Sequence, residues 1–209
     1  MELVTLLTAC ALNVSSDLLE PLIQLESGYN PYAIGVVGAS VPQPTSLNDF
    51  WHTINDLEKR NKNYSVGLAQ INIKNLHRFN IPVLDAVEPC NNIKLSSVIL
   101  KDCYSNYQDI GKALSCYYSG NDKTGFKRDF NNSYVERFLT SYANKQENVV
   151  INFDYDQFYQ LKNQVENYHQ NQPSTQVARS SHVKNTNQVK NFSNHKKKES
   201  FLKKTINMN

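Results

Sequence analysis

The stretch LIQLESGYNPYAIG, residues 22–35, places a carboxylate at the end of an apolar helix. The residues before Glu26 are apolar at helical spacing, and Gly28 soon after it favours the end of the helix. Glu26 lies four residues after Leu22 and three after Ile23, so it shares their side of the helix. The stretch therefore predicts an acidic side chain at the edge of the hydrophobic core.

Two interpretations of Glu26 follow from this position. Apolar surroundings disfavour the charged form, raise the pKa of the carboxyl, and suit a general acid near neutral pH. Alternatively, Glu26 simply ends a helix and points to solvent, which is the commoner situation for a glutamate. The residues of this stretch alone do not decide between the two.

The rest of the pattern predicts a mainly helical fold. The helix carrying Glu26 is expected to begin with a capping box formed by Asp17 and Glu20, with Pro21 near its first turn. Ser46 is expected to cap a helix that ends near Asn61. Further helices are predicted over residues 3–12, around 76–79, from about 92 to 107, and over 110–118, 135–142 and 154–168. A loop is expected over residues 28–46, and strand signals are weak, limited to pieces such as 149–153.

The charge distribution separates a body from a tail. Residues 1–170 carry 14 Lys and Arg against 18 Asp and Glu, whereas residues 171–209 carry 8 against 1. The tail is rich in Asn and Gln and has little to bury, so we expect it to be disordered. We therefore predict a folded domain over 1–148, an extra helix over 149–170 and a basic tail over 171–209. The tail lacks a recognisable nucleic-acid module, which makes nucleic-acid binding an unfavoured interpretation.

The N-terminal region predicts neither a membrane span nor a clear signal peptide. Residues 3–12 are apolar, but no stretch approaches the length of about 20 residues that a span needs. Met1-Glu2 supplies no positive charge ahead of this run, so it is interpreted as a core helix. The four cysteines have no zinc-site spacing, and on the residues alone they are either disulfides or buried thiols. No metal or cofactor is expected.

Three separated segments resemble the lysozyme-like lytic transglycosylases, in particular the branch associated with type IV secretion and conjugation. They are Glu26-Ser27-Gly28-Tyr29-Asn30-Pro31 with the following Tyr32-Ala33-Ile34, then Gly67-Leu68-Ala69-Gln70-Ile71-Asn72, and Ala113-Leu114-Ser115-Cys116-Tyr117-Tyr118-Ser119-Gly120-Asn121. They correspond to the family's Glu-Ser, Gly-Leu-Met/Ala-Gln and Ala-x-Tyr-Asn-x-Gly segments, in that order. The resemblance covers roughly residues 3–140 and implies a lysozyme-like α+β fold with minimal β structure.

The resemblance implies a reaction and a set of site residues. Glu26 would protonate the glycosidic oxygen between N-acetylmuramic acid and N-acetylglucosamine in peptidoglycan, and then act as base toward the muramic acid 6-hydroxyl. The product is a 1,6-anhydro sugar, and no second carboxylate is needed because the nucleophile belongs to the substrate. By the same resemblance, Gly67, Gln70, Asn72 and Tyr117 would bind substrate. Ser27 is interpreted as structural, and Cys10 is paired with Cys90, which leaves Cys103 with Cys116 by exclusion.

The chain departs from the family pattern at three places. Tyr118 stands where many relatives have Asn, so an amide contact to substrate is lost or replaced. Gly35 occupies a position that is Ser in other transglycosylases. Residues 40–65 are an insertion whose Trp51 could contact sugar, although core packing is favoured.

The resemblance also implies where the protein acts and what it meets. It would locally open the peptidoglycan in the periplasm or cell envelope so that a type IV secretion or conjugation apparatus can assemble. The resemblance does not cover the tail, whose basic charge instead suits contact with secretion partners or with anionic wall polymers. Two alternatives stay open, namely a hydrolytic muramidase on the same fold and a non-catalytic assembly factor.

Overall fold

The computed structural model describes residues 1–129 and 131–171, and these are predominantly helical, in agreement with the predicted class. The helices are α1 Leu3–Cys10, α2 Ser16–Ser27, α3 Leu47–Lys59, α4 Ile73–Phe79, α5 Val83–Val87, α6 Pro89–Tyr107, α7 Ile110–Ser119, α8 Tyr134–Ala143 and α9 Tyr155–Asn171, with a 3₁₀ turn at Thr124–Phe126. The strands are β1 Ile34–Val36, β2 Tyr64–Val66, β3 Ile71–Asn72, β4 Arg128–Asp129 and β5 Asn132–Ser133.

Helix α2 ends as expected but begins differently. Gly28 adopts a left-handed backbone, φ 55°, that terminates the helix directly after Ser27. The capping box expected from Asp17 and Glu20 is wrong, because Ser15 is the N-cap and its side chain accepts from the Asp17 amide. Pro21 consequently lies inside the helix rather than in its first turn. The Glu20 carboxylate instead accepts from the Tyr29 hydroxyl, beyond the end of the helix.

Strands β1, β2 and β3 form a small antiparallel sheet that the sequence pattern did not predict. Strand β1 pairs with β2 in the register Ile34 with Val66, and β2 pairs with β3 in the register Ser65 with Asn72. Strand β1 lies within residues 28–46, which had been expected to form only a loop, and strands of two or three residues have no detectable period. The sheet brings residues 33–36 beside residues 64–72.

Helix α6 lies at the centre of the core. Asn92, Ile93 and Leu100 on this helix are fully or almost fully buried. Two disulfides fasten α6 to its neighbours, Cys10–Cys90 to α1 and Cys103–Cys116 to α7. Both pairings are as expected.

Residues 40–65 and the segment that follows α8 both add to this core. Ser46 caps α3 as predicted, Phe50 and Ile54 are fully buried, and Trp51 packs partly buried against the core. Ile151 and Phe158 are buried in the same core, so part of the segment 149–170 packs with the predicted domain.

Residues 1–165 form one compact unit. The helix predicted after Asp154 is present as α9, and the predicted basic tail lies, apart from Asn171, outside the described residues. Within the described part of the chain, no helix combines the length and the apolar character that crossing a membrane requires.

Candidate active site

Glu26 lies in the last turn of α2, with fully buried apolar residues beneath it. Leu22 and Ile23 have no exposed surface, whereas Glu26 itself is partly buried. Desolvation is the main influence on the carboxyl and raises its pKa from 4.5 to about 7. The direction of this shift and its cause agree with the first of the two interpretations of Glu26.

A tyrosine from the far end of the domain holds this carboxyl. The Tyr134 hydroxyl donates a hydrogen bond of 2.5 Å to Glu26 Oε1, although 108 residues separate the two. Tyr134 is the first residue of α8, fixed there by a capping box between Ser133 and Glu136. Arg137 lies one turn further along α8. Its positive charge and the Tyr134 hydrogen bond both lower the pKa of the Glu26 carboxyl, and so oppose the effect of desolvation.

Sequence reasoning missed Tyr134. The Ser-x-x-Glu signature of residues 133–136 could have located the start of α8. It carries no information about which distant side chain Tyr134 contacts.

Tyr117 also lies near Glu26, but its hydroxyl has a different partner. It donates to the Ala69 carbonyl oxygen at 2.7 Å, while burial and the charge of Glu26 raise the Tyr117 pKa well above its usual value. Tyr117 therefore joins the third sequence segment to the second, beside the acid. The hydroxyl group bonded to Glu26 itself is that of Tyr134.

The turn at residues 66–70 is organised by Asn92. This fully buried amide donates to the carbonyls of Val66 and Ala86 at 3.1 and 2.7 Å, and accepts from the Ala69 amide at 2.8 Å. Gly67 has φ +80°, and a Cβ placed there would lie 2.3 Å from Asn92 Nδ2. Glycine is therefore required at this position by its backbone conformation and by the adjacent amide.

Gln70 ties the same turn to the first segment. Its side-chain Nε2 donates to the Ala33 carbonyl at 3.0 Å and to the Gly67 carbonyl at 3.1 Å. Its Oε1 lies 2.6 Å from the place where a Cβ on Gly35 would be, so Gln70 fills the space that a side chain at position 35 would take. Gln70 can therefore take this position only because residue 35 has no side chain.

The remaining two predicted site residues make contacts within the protein. Asn72 Oδ1 accepts from the Lys74 amide at the start of α4, and Nδ2 donates to side chains of Asn63 and Ser65. The Ser27 hydroxyl donates to the Ile23 carbonyl at 3.1 Å, a contact that fits the structural interpretation. Substrate binding by Gly67, Gln70, Asn72 and Tyr117 stays a prediction.

A polar and aromatic cluster adjoins Tyr134. The Tyr118 ring stacks on the Tyr134 ring with 4.4 Å between centroids and 15° between planes. The Tyr118 hydroxyl donates to Asp129 Oδ2 at 2.8 Å, and Asp129 is also paired with Arg137. This ion pair and the tyrosine bond hold the pKa of Asp129 below its ordinary value.

Among the residues that the structure describes, no group of three or more His, Cys, Asp or Glu side chains is placed to hold a metal ion. The titratable groups that the structure brings together at the site include the Glu26 carboxyl and the hydroxyls of Tyr134 and Tyr117. A carboxyl with a pKa near 7 exchanges its proton readily at neutral pH, which is what a residue acting first as acid and then as base requires.

Comparison with known proteins identifies the family. The model of the transglycosylase SLT domain matches residues 7–149. The type IV secretion system protein virB1 of Brucella suis biovar 1 and that of Brucella melitensis biotype 1 are each 41% identical over 143 residues, covering 63% of this chain and 60% of theirs. Protein virB1 of Agrobacterium fabrum is 26% identical over 141 residues, covering 63% of this chain and 56% of its own. The comparison with solved structures finds no match.

The chain thus spans about three fifths of the length of the curated relatives it matches. Within that span, all three segments around Glu26 fall inside the matched family model. The chain belongs to the transglycosylase SLT domain family.

Proposed function

We propose that this protein is a lytic transglycosylase that cleaves the β-1,4 bond between N-acetylmuramic acid and N-acetylglucosamine in peptidoglycan. The observation that carries the proposal is Glu26, a partly buried carboxyl with a pKa of about 7 that is held by Tyr134. Membership of the SLT family supplies the substrate class.

Glu26 acts first as a general acid in the proposed reaction. Its proton passes to the glycosidic oxygen, the bond from that oxygen to C1 of the muramic acid breaks, and N-acetylglucosamine leaves with a free 4-hydroxyl. At neutral pH a large fraction of Glu26 carries the required proton because burial has raised its pKa to about 7. An ordinary glutamate would be almost fully ionised at this pH.

Glu26 acts next as a base. The carboxylate takes the proton of the muramic acid 6-hydroxyl while that oxygen bonds to C1, which yields the 1,6-anhydro sugar and returns Glu26 to its protonated form. Water is not consumed, so atoms and protons balance within the substrate and Glu26. The Tyr134 hydroxyl and the charge of Arg137 favour the carboxylate that exists between the two steps.

The biological setting follows from the relatives. Those from Brucella are named as type IV secretion system proteins, and we infer that this chain serves the same kind of apparatus by opening peptidoglycan locally in the cell envelope. The basic segment 171–209 is the proposed contact to partners of that apparatus. Its surplus of lysine and arginine would suit an acidic protein surface.

Digestion of purified peptidoglycan by wild type and by Glu26→Gln tests the enzymatic proposal. Mass spectrometry should show muropeptides ending in 1,6-anhydro-N-acetylmuramic acid for the wild type, and almost none for Glu26→Gln. Products that end in reducing N-acetylmuramic acid would instead establish the muramidase alternative, in which water is the nucleophile.

The assembly-factor alternative needs a test in cells. We expect secretion to fail when Glu26→Gln replaces the wild type at matched protein levels. Full restoration of secretion by Glu26→Gln would show that the fold recruits partners without catalysis.

A further inference from the structure

Tyr118 is the exposed member of the aromatic pair at the active site. Its side chain is on α7, and the residue is 43% exposed, whereas Tyr134 beneath it is only 3% exposed. Since one face of the Tyr118 ring covers Tyr134, with 4.4 Å between ring centroids, the exposed surface of the residue lies elsewhere, and we infer that it includes the opposite face of the ring. An aromatic face is therefore presented to solvent one ring away from the side chain that holds Glu26.

This ring is fixed at two points. The stack on Tyr134 sets its plane, and the hydrogen bond from its hydroxyl to Asp129 sets its rotation. Asp129 is held in turn by Arg137, whose guanidinium also donates to the Asn132 carbonyl at 2.9 Å. A ring held in this way loses little conformational entropy when a ligand covers it.

The ring also lies close to the reacting group. The charge of Glu26 contributes to raising the pKa of the Tyr118 hydroxyl, after the larger effects of Asp129 and of burial. By the family resemblance, Tyr118 stands where many relatives have Asn, a residue that could offer a polar contact but no aromatic face.

We propose that Tyr118 is a substrate-binding residue whose exposed face stacks on a pyranose ring of the glycan next to the bond that Glu26 cleaves. This inference rests on the proposed function and adds a subsite to it. β-1,4-linked N-acetyl sugars carry their substituents equatorially, so axial C–H groups make each face of the ring apolar. Such a face packs against a tyrosine while its hydroxyl groups stay in water.

Binding measurements in the Glu26→Gln protein test this subsite without cleavage. The probe is the N-acetylglucosamine hexasaccharide, titrated calorimetrically. Adding Tyr118→Ala should weaken binding about tenfold, and Tyr118→Phe, which keeps the ring on Tyr134, should recover most of that loss. Tyr104→Ala is the matched control, because Tyr104 is 45% exposed on α6 and is not part of the site, and it should not change the affinity.

Three outcomes would overturn the proposal. They are equal affinity with and without the Tyr118 ring, an equal loss for Tyr104→Ala, and no measurable binding while Tyr118 is in place. If Tyr118→Ala does not fold by circular dichroism, Tyr118→Asn and Tyr118→Leu decide the question, since both remove the aromatic face and Asn is the residue of many relatives.

A second measurement separates sugar stacking from mere support of Tyr134. In the protein with Glu26 intact, Tyr118→Ala should raise the KM for peptidoglycan and leave the pH midpoint of kcat in place. A shifted midpoint with an unchanged KM would show that Tyr118 acts only through Tyr134, and would contradict the subsite. If the wild type forms no anhydro products but hexasaccharide binding still depends on Tyr118, the proposed reaction fails while the subsite stands.

Discussion

The hydrogen bond from Tyr134 to Glu26 predicts that removing the Tyr134 hydroxyl moves the pH midpoint of activity upward, which a simple loss of function would not do. Tyr134→Phe removes the hydroxyl and keeps the ring that stacks on Tyr118. The lost bond favours the carboxylate form, so its removal raises the pKa of Glu26 above the present value of about 7. Glu26 then stays protonated to higher pH, and the alkaline limb of the activity profile moves upward.

The size of this change follows from the type of bond. A hydrogen bond to a charged group contributes about 1.5–3 kcal/mol, and partial exposure of Glu26 favours the low end. Since each pKa unit corresponds to about 1.4 kcal/mol, the midpoint of the alkaline limb should rise by about one pH unit.

The assay is the pH dependence of kcat for release of soluble fragments from purified peptidoglycan. Tyr142→Phe is the matched control, because it removes the same hydroxyl two turns along α8 at a side chain that is 43% exposed, and its profile should match that of the wild type. A midpoint that stays in place or moves downward for Tyr134→Phe would refute the reasoning about Glu26.

Three further predictions concern stability and the tail. Because the pKa of Glu26 is raised from 4.5 to about 7, the folded protein loses stability as pH rises through this window. Glu26→Gln should therefore be about 3 kcal/mol more stable than wild type at pH 8 but not at pH 4, as measured by urea unfolding. Gly67→Ala should destabilise the fold by about 2 kcal/mol more than Gly38→Ala. Both glycines have left-handed backbones (φ +80° and +73°), but only a Cβ at position 67 would meet Asn92, so equal losses of unfolding free energy in chemical denaturation would contradict this. Deletion of residues 171–209 should leave peptidoglycan cleavage intact in the fragment-release assay, and loss of cleavage by a folded truncated chain would show that the tail belongs to the catalytic unit.

Local signals in the sequence predicted the parts of the site that depend on neighbours along the chain. Apolar residues at Leu22 and Ile23 placed Glu26 against the core, and Gly28 ended the helix there. Ser46 was recognisable as a cap because its hydroxyl satisfies the Asp49 amide three residues later. These interactions span four residues or fewer, so spacing alone reveals them.

Contacts between distant segments were not predictable in the same way. The Tyr134–Glu26 bond and the packing of Asn92 against Gly67 depend on how the helices cross. The chain has 12 tyrosines, and spacing does not show which of them contacts Glu26. The start of α2 was misplaced for a different reason, because Ser15, Ser16 and Asp17 are all good caps and only the backbone geometry selects Ser15.

The most direct test of the account is digestion of purified peptidoglycan by the wild type in water labelled with ¹⁸O. Transfer to the muramic acid 6-hydroxyl predicts anhydro ends that carry no label, and their loss in Glu26→Gln. Newly formed reducing ends labelled with ¹⁸O would contradict the internal nucleophile. Anhydro ends formed equally by Glu26→Gln would contradict the central role given to Glu26.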